Sequence, residues 1–118
     1  MSLEIKHKFF PYRLVASRGS PVELTLDIAN NSEKDLMLSL QLELGRGLGL
    51  DKAGIKCRDY KQLGIIEKGK SLKFVYSVFA TPSARKGEVQ ISLKLTEHFN
   101  NYNYVVKEYS KDFALVVD

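Results

Sequence analysis

The chain has 118 residues, 44% of them hydrophobic and 27% charged, and 18 basic against 14 acidic side chains leave a formal charge of +4. That length suits one domain with one sizeable core, and the hydrophobic share excludes a disordered chain. No apolar run reaches the length of a membrane-crossing helix, so no membrane insertion is expected, and the single cysteine, Cys57, excludes an intrachain disulfide framework.

Residues 3–9 alternate as Leu3, Ile5, His7 and Phe9 against Glu4, Lys6 and Lys8. Period two is the mark of a strand, here an edge strand broken at Phe10-Pro11 because proline cannot donate to a central ladder. A short continuation is expected through Leu14-Val15-Ala16. Residues 22–28 then place Val22, Leu24, Leu26 and Ile28 on one face, between Gly19-Ser20-Pro21 and Asn30-Asn31-Ser32, both of which are turn chemistry. Asn30-Asn31-Ser32 also fits the glycosylation triplet, a short pattern that arises readily by chance.

Residues 36–44 put five leucines, Leu36, Leu38, Leu40, Leu42 and Leu44, on alternate positions. Leucine favours helices, but a helix would scatter these side chains round its circumference, whereas a strand places all of them on one side. Gly45, Gly47 and Gly49 follow. Their spacing departs from that of dinucleotide-binding glycines and no Gly-Lys-Ser/Thr follows, so a flexible turn is the reading. Between Gly45 and Glu67, Ile55, Cys57 and Asp59 suit a short edge strand, and Ala53, Cys57 and Tyr60 suit a helical turn equally well.

Residues 71–78 alternate cleanly with Leu72, Phe74, Tyr76 and Val78 inward, and Val75 is the apolar exception outside. Residues 88–96 do so through Val89, Ile91, Leu93 and Leu95. Residues 104–117 are strand-like with a change of parity, since Tyr104 and Val106 are even whereas Tyr109, Phe113, Leu115 and Val117 are odd. A β-bulge near Lys107 or Glu108 would reconcile the halves. One-sided strands of this kind pack as two layers around a shared core. The expected fold is an all-β, two-layer antiparallel immunoglobulin-like sandwich of about seven to eight strands, spanning residues 1–118 as one domain.

Two segments carry a resemblance: Leu24-Thr25-Leu26-Asp27-Ile28-Ala29-Asn30-Asn31-Ser32, a strand followed by an asparagine turn, and Leu63-Gly64-Ile65-Ile66-Glu67-Lys68-Gly69-Lys70-Ser71-Leu72, a turn glycine leading into a strand. With Glu97-His98-Phe99-Asn100-Asn101 as an asparagine-rich turn, the chain from Val22 onward resembles the archaeal and bacterial CARDB-type adhesion-related domains. Lys68 stands where those domains usually have proline. The resemblance implies an immunoglobulin-like fold and a role in adhesion or presentation rather than catalysis.

For chemistry the residues offer little. His7 and His98 are the only histidines and show no ligand spacing with Cys57, so neither metal nor cofactor is expected. His7, at an inward parity near an edge, reads as a satisfied core or boundary residue, and His98 as part of a turn. Cys57, flanked by Lys56 and Arg58, could pair with a distant histidine as a nucleophile, but a small apolar plug is the simpler reading. Lys52, Lys56, Arg58, Lys61, Lys68, Lys70 and Lys73 surround Tyr60 in the middle of the chain. Lys56, Arg58, Lys61 and Lys70 are therefore candidates for binding nucleic acid or another anion, against the alternative of lysines guarding an exposed strand. Phe99-Asn100-Asn101-Tyr102-Asn103-Tyr104 combines aromatics with a turn, as recognition loops do. The other reading has Phe99 and Tyr104 capping the core.

The expectation is a non-catalytic module that binds a protein partner or its own copies, through Phe99, Tyr102 and Tyr104 or through a sheet face containing Val75. An anion binder is the alternative. The N-terminus shows no signal-peptide pattern and the cysteine is single, which favours the cytoplasm, unless the chain is a fragment of a longer extracellular protein.

Overall fold

The computed structural model describes residues 3–118. Nine strands form two sheets: β1 (Leu3–Phe10), β2 (Arg13–Leu14), β3 (Val22–Asn30), β4 (Leu36–Leu44), β5 (Leu48–Gly49), β6 (Arg58–Ile66), β7 (Ser71–Ala80), β8 (Gly87–Phe99) and β9 (Asn101–Val117). One sheet has the order β1-β3-β7-β5 and the other β2-β9-β8-β4-β6. The long strands β3 and β4, β6 and β7, and β7 and β8 join the two layers, and short β5 returns to the four-stranded sheet between β4 and β6, as connections between the sheets of an immunoglobulin-like sandwich do. Seven strands are long and two have only two residues, so the expected seven to eight are exceeded by short pieces.

The alternation seen in the sequence is the burial pattern. Val22, Leu24, Leu26 and Ile28 of β3, the five leucines of β4 and Ile91, Leu93 and Leu95 of β8 are all buried. Each contributes roughly 1.5–3 kcal/mol on leaving water. Asn30 continues the inward parity of β3 and is fully buried, so the strand runs two residues past Ile28 before it turns.

The first strand changes sheets. Paired with β3 up to Phe10, it breaks at Pro11 and crosses to the other layer, where β2 runs parallel to the end of β9. This is the one exception to antiparallel pairing among the described strands. The expected continuation through Ala16 stops at Leu14, because Ala16–Arg18 turn into a short 3-10 segment closed by Gly19 at φ 69°.

The stretch after Gly45 holds the two-residue strand β5 and no helix, and the edge strand expected from Ile55 starts later and runs longer. Ile55 is exposed, and the edge strand β6 begins at Arg58 and runs for nine residues. Its register slips between Leu38 and Ser39 of β4, leaving Leu63 as an extra residue beside Gly64 at φ 75°. The parity change in β9 has the expected cause, one position earlier than predicted. Glu97 pairs with Lys107 and His98 with Val105, so Val106 is the bulged residue.

Candidate binding surfaces

The β8–β9 hairpin closes at Asn100, whose φ of 67° suits asparagine better than most side chains. Phe99 pairs with Asn101 and His98 with Val105, so Tyr102, Asn103 and Tyr104 form an excursion with no partner on β8. The Asn103 N–H donates to Asn101 Oδ1 at 2.9 Å, which fixes the start of that excursion.

Tyr102 lies back over the outer face of the five-stranded sheet. Its ring meets His98 edge to face at 5.0 Å, and its hydroxyl accepts the Gly64 N–H at 2.9 Å. The hairpin tip is thereby tied across β8 and β4 to the bulge of β6. Beneath it, His98 Nε2 is 2.7 Å from the Ser39 hydroxyl, with both residues buried. His98 therefore belongs to the end of β8 and not to the turn expected for it. Its burial on an outward position has no signal in the sequence, because it depends on Tyr102 folding over.

Around this anchor the outer face is apolar. Val105, His98, Met37 and Ile65 stand in register across β9, β8, β4 and β6. A shallow concavity of about 300 Å³ is lined by Asp35, Met37, Ile65, His98, Phe99 and Asn100. Ile65 is 66% exposed, Phe99 64% and Val105 57%, with Tyr104 at 63% and Val106 at 55% flanking Val105 in the chain, and these five are half of the exposed large hydrophobic side chains among the described residues. Such side chains scattered singly need no explanation, whereas a contiguous group marks a contact surface. At this exposure Phe99 and Tyr104 do not cap the core, and Tyr102, whose hydroxyl is engaged, is an anchor and not a free contact. Met37, Ile65 and Val105 were missed because their grouping requires the strand order.

Val75 lies elsewhere. It pairs with Thr25 on the four-stranded sheet, facing away from the hairpin surface, between Lys73 and Ser77.

The central cations do not assemble into one surface. Asp59 points inward from β6 and accepts the Tyr76 hydroxyl at 2.8 Å, while Lys56 and Lys61 approach the same carboxylate at 3.4 and 3.5 Å. Burial acts to raise the Asp59 carboxyl, but the Tyr76 hydrogen bond and the two lysines outweigh it and hold the group below its ordinary value. Tyr76 is raised, by burial first and then by Asp59. Arg58 faces the other way and pairs with Glu43 at 3.0 Å, and Lys70 sits in the β6–β7 turn.

Cys57 is half-buried at the foot of β6, where its carbonyl accepts the Leu44 N–H. His98 lies opposite Met37, seven residues up β4 from Leu44, a separation on the order of 20 Å at strand rise. The two are not within reach of one another. His7 stacks on Phe113 at 4.1 Å at the β1–β9 side of the sandwich. Among the described residues no three His, Cys, Asp or Glu side chains gather as metal ligands would.

No family model and no curated protein matches the chain. Solved structures do. A Salmonella alpha-2-macroglobulin mutant superposes with a TM-score of 0.75 at 18% identity, over 99% of this chain and 7% of that one. An Escherichia coli alpha-2-macroglobulin fragment gives 0.71 at 18% identity, over 98% and 16%. A FixG-related protein from Vibrio parahaemolyticus gives 0.59 at 15% identity, over 99% of this chain and 97% of that one. The chain thus spans a small fraction of the macroglobulins it matches. At these identities the likeness is one of fold, an immunoglobulin-like β-sandwich.

Proposed function

We propose that this domain is a non-catalytic protein-binding module whose contact surface is the outer face of the five-stranded sheet at its hairpin end. The observation that carries the reading is the concentration there of Ile65, Phe99, Tyr104 and Val105, exposed around the Tyr102–His98 anchor. A tied-down tip loses less freedom on binding than a loose loop, so its aromatics contribute more to a complex. Immunoglobulin-like domains occur within the larger chains of bacterial macroglobulins, and assembly inside or beside a larger protein is a role this one fits.

Two features speak against the other classes. Cys57 lies on the order of 20 Å from His98 along β4, and the Ser39 hydroxyl beside His98 is buried with it, away from any substrate. Lys56 and Lys61 share Asp59, which offsets the charge an anionic ligand would need. Complex formation should accordingly change little between about 50 and about 200 mM salt, where a phosphate-driven complex would weaken steeply. A photo-crosslinking side chain placed at position 99 or 65 is expected to give a discrete protein adduct in cells, with none from position 75 on the opposite sheet. Equal labelling from both faces, or none from either, overturns the reading.

A further inference from the structure

Among the described residues, strand β9 has a long unpaired edge. Its inner neighbour β8 pairs along its length, whereas β2 covers only Val116 and Val117 on the other side. Residues 103–112 are exposed apart from half-buried Tyr109 and Lys111. An edge of this kind presents main-chain N–H and C=O groups that another strand can pair with.

The charges along this edge are sorted by face. Lys107 and Lys111 share the inward parity of Tyr109 and Phe113, while Glu108 and Asp112 point outward. Consider a second copy of the chain pairing antiparallel with the first in one continuous sheet. Paired residues share a face, so residues of equal parity oppose each other and one residue lies on the two-fold axis. With Lys107, Glu108, Lys111 or Asp112 on the axis, that charge meets itself. With Tyr109 there, Lys107 opposes Lys111, and with Ser110, Glu108 opposes Asp112. Registers centred nearer the hairpin run through the bulge at Val106 and the excursion at 102–104, and those centred beyond Asp112 collide with β2. Like charges directly opposite are destabilising, so the edge rejects its own copy.

The same pattern accepts a different strand. We infer that β9 is a strand-addition site for an extended segment of another protein that carries, in antiparallel order, a basic and an acidic residue, two spacers, then a basic and an acidic residue. The basic pair faces Asp112 and Glu108, and the acidic pair faces Lys111 and Lys107. Lys111 donates to the Ile5 carbonyl at 2.8 Å and retains two further donors, Asp112 makes no ion pair among the described residues, and Glu108 is 3.6 Å from Lys94 on the solvated face. Main-chain pairing supplies affinity and the charge order supplies selectivity. The site at residues 107–112 begins two residues along β9 from Val105 of the apolar patch, whereas Ile65 of that patch lies on β6 at the far edge of the sheet, so a change at Ile65 separates the two.

The test uses a short synthetic peptide with Lys-Glu-Thr-Val-Lys-Glu at its centre, read by amide hydrogen exchange and by a binding titration. Protection is expected at residues 107–112 and not along β6, and the Ile65→Lys protein should bind the peptide as the native one does. The double variant Lys107→Glu, Lys111→Glu should bind about tenfold more weakly and recover with a peptide whose two glutamates are lysines. Asp112→Lys, at an exposed position, gives the parallel weakening where the double variant fails to fold. Absence of protection at 107–112, protection along β6 instead, or indifference of both proteins to peptide charge overturns the site. So does a dimer of the native chain that protects the same amides without peptide.

Discussion

Asn30 shows how much a single polar residue can hold in place. Its amide donates to the carbonyls of Lys34 and Ile66 at 3.0 and 2.7 Å, and its Oδ1 accepts both the N–H and the hydroxyl of Ser32. Its main chain exchanges hydrogen bonds with Lys70 and Gly69, so the β3–β4 and β6–β7 turns meet at this side chain. The glycosylation triplet is therefore a coincidence of turn chemistry, because the asparagine amide is buried and fully engaged in the folded chain. Asn30→Ala removes these bonds and strands the buried Ile66 carbonyl, a loss of about 2–4 kcal/mol. Urea denaturation should show it as a lower midpoint with an unchanged slope. The turn was legible in the sequence and so was the inward parity. The convergence of two turns on one amide was not, since residues 30 and 66 are far apart in the chain.

At the scale of the element, the strands that could be read were those whose two faces differ. The leucines of β4 needed no tertiary information, because alternation alone places them on one side. Strand β6 was obscured for a physical reason: as an edge strand it points Asp59 and Lys61 inward toward Tyr76, so its pattern of apolar residues is broken by charges that remain partly solvated. Its bulge hides it further by shifting parity at Leu63. Gly64 has nothing within 4 Å of where a Cβ would stand, so Gly64→Ala should cost only the backbone strain of a positive φ, about 1 kcal/mol, measured as a small drop in melting temperature. Tyr102→Phe probes the strap that crosses this bulge. It keeps the contact with His98 and removes the acceptor for the Gly64 N–H, so global stability should fall by about 1 kcal/mol. Hydrogen exchange at Gly64 should accelerate well beyond that of its β6 neighbours, and an unchanged Gly64 rate would show that the tip is not tied there.

For the whole molecule, the two sheets have to be held together at their open sides as well as through the core. On the β1–β9 side that closure is aromatic: His7 stacks on Phe113 and meets Phe9 edge-on at 5.8 Å, with Lys111 reaching over to the Ile5 carbonyl. His7 Nδ1 is buried without a hydrogen-bond partner. Burial first, and the Lys111 charge second, lower the His7 pKa from its ordinary 6.5. The folded state thus binds the proton less well than the unfolded chain does, and the sign follows from linkage: stability is fully present above pH 6.5 and is lost as pH falls toward the depressed folded value. His7→Phe keeps a ring for Phe113 to stack on and removes both the titration and the unpartnered nitrogen. Thermal melts of the native chain should therefore drop between neutral and mildly acidic pH, and those of the variant should drop less, with the two converging above the ordinary histidine range apart from a constant offset. Parallel curves across that interval would mean that His7 is solvated in solution and that the seam between β1 and β9 is looser than its stacked rings indicate.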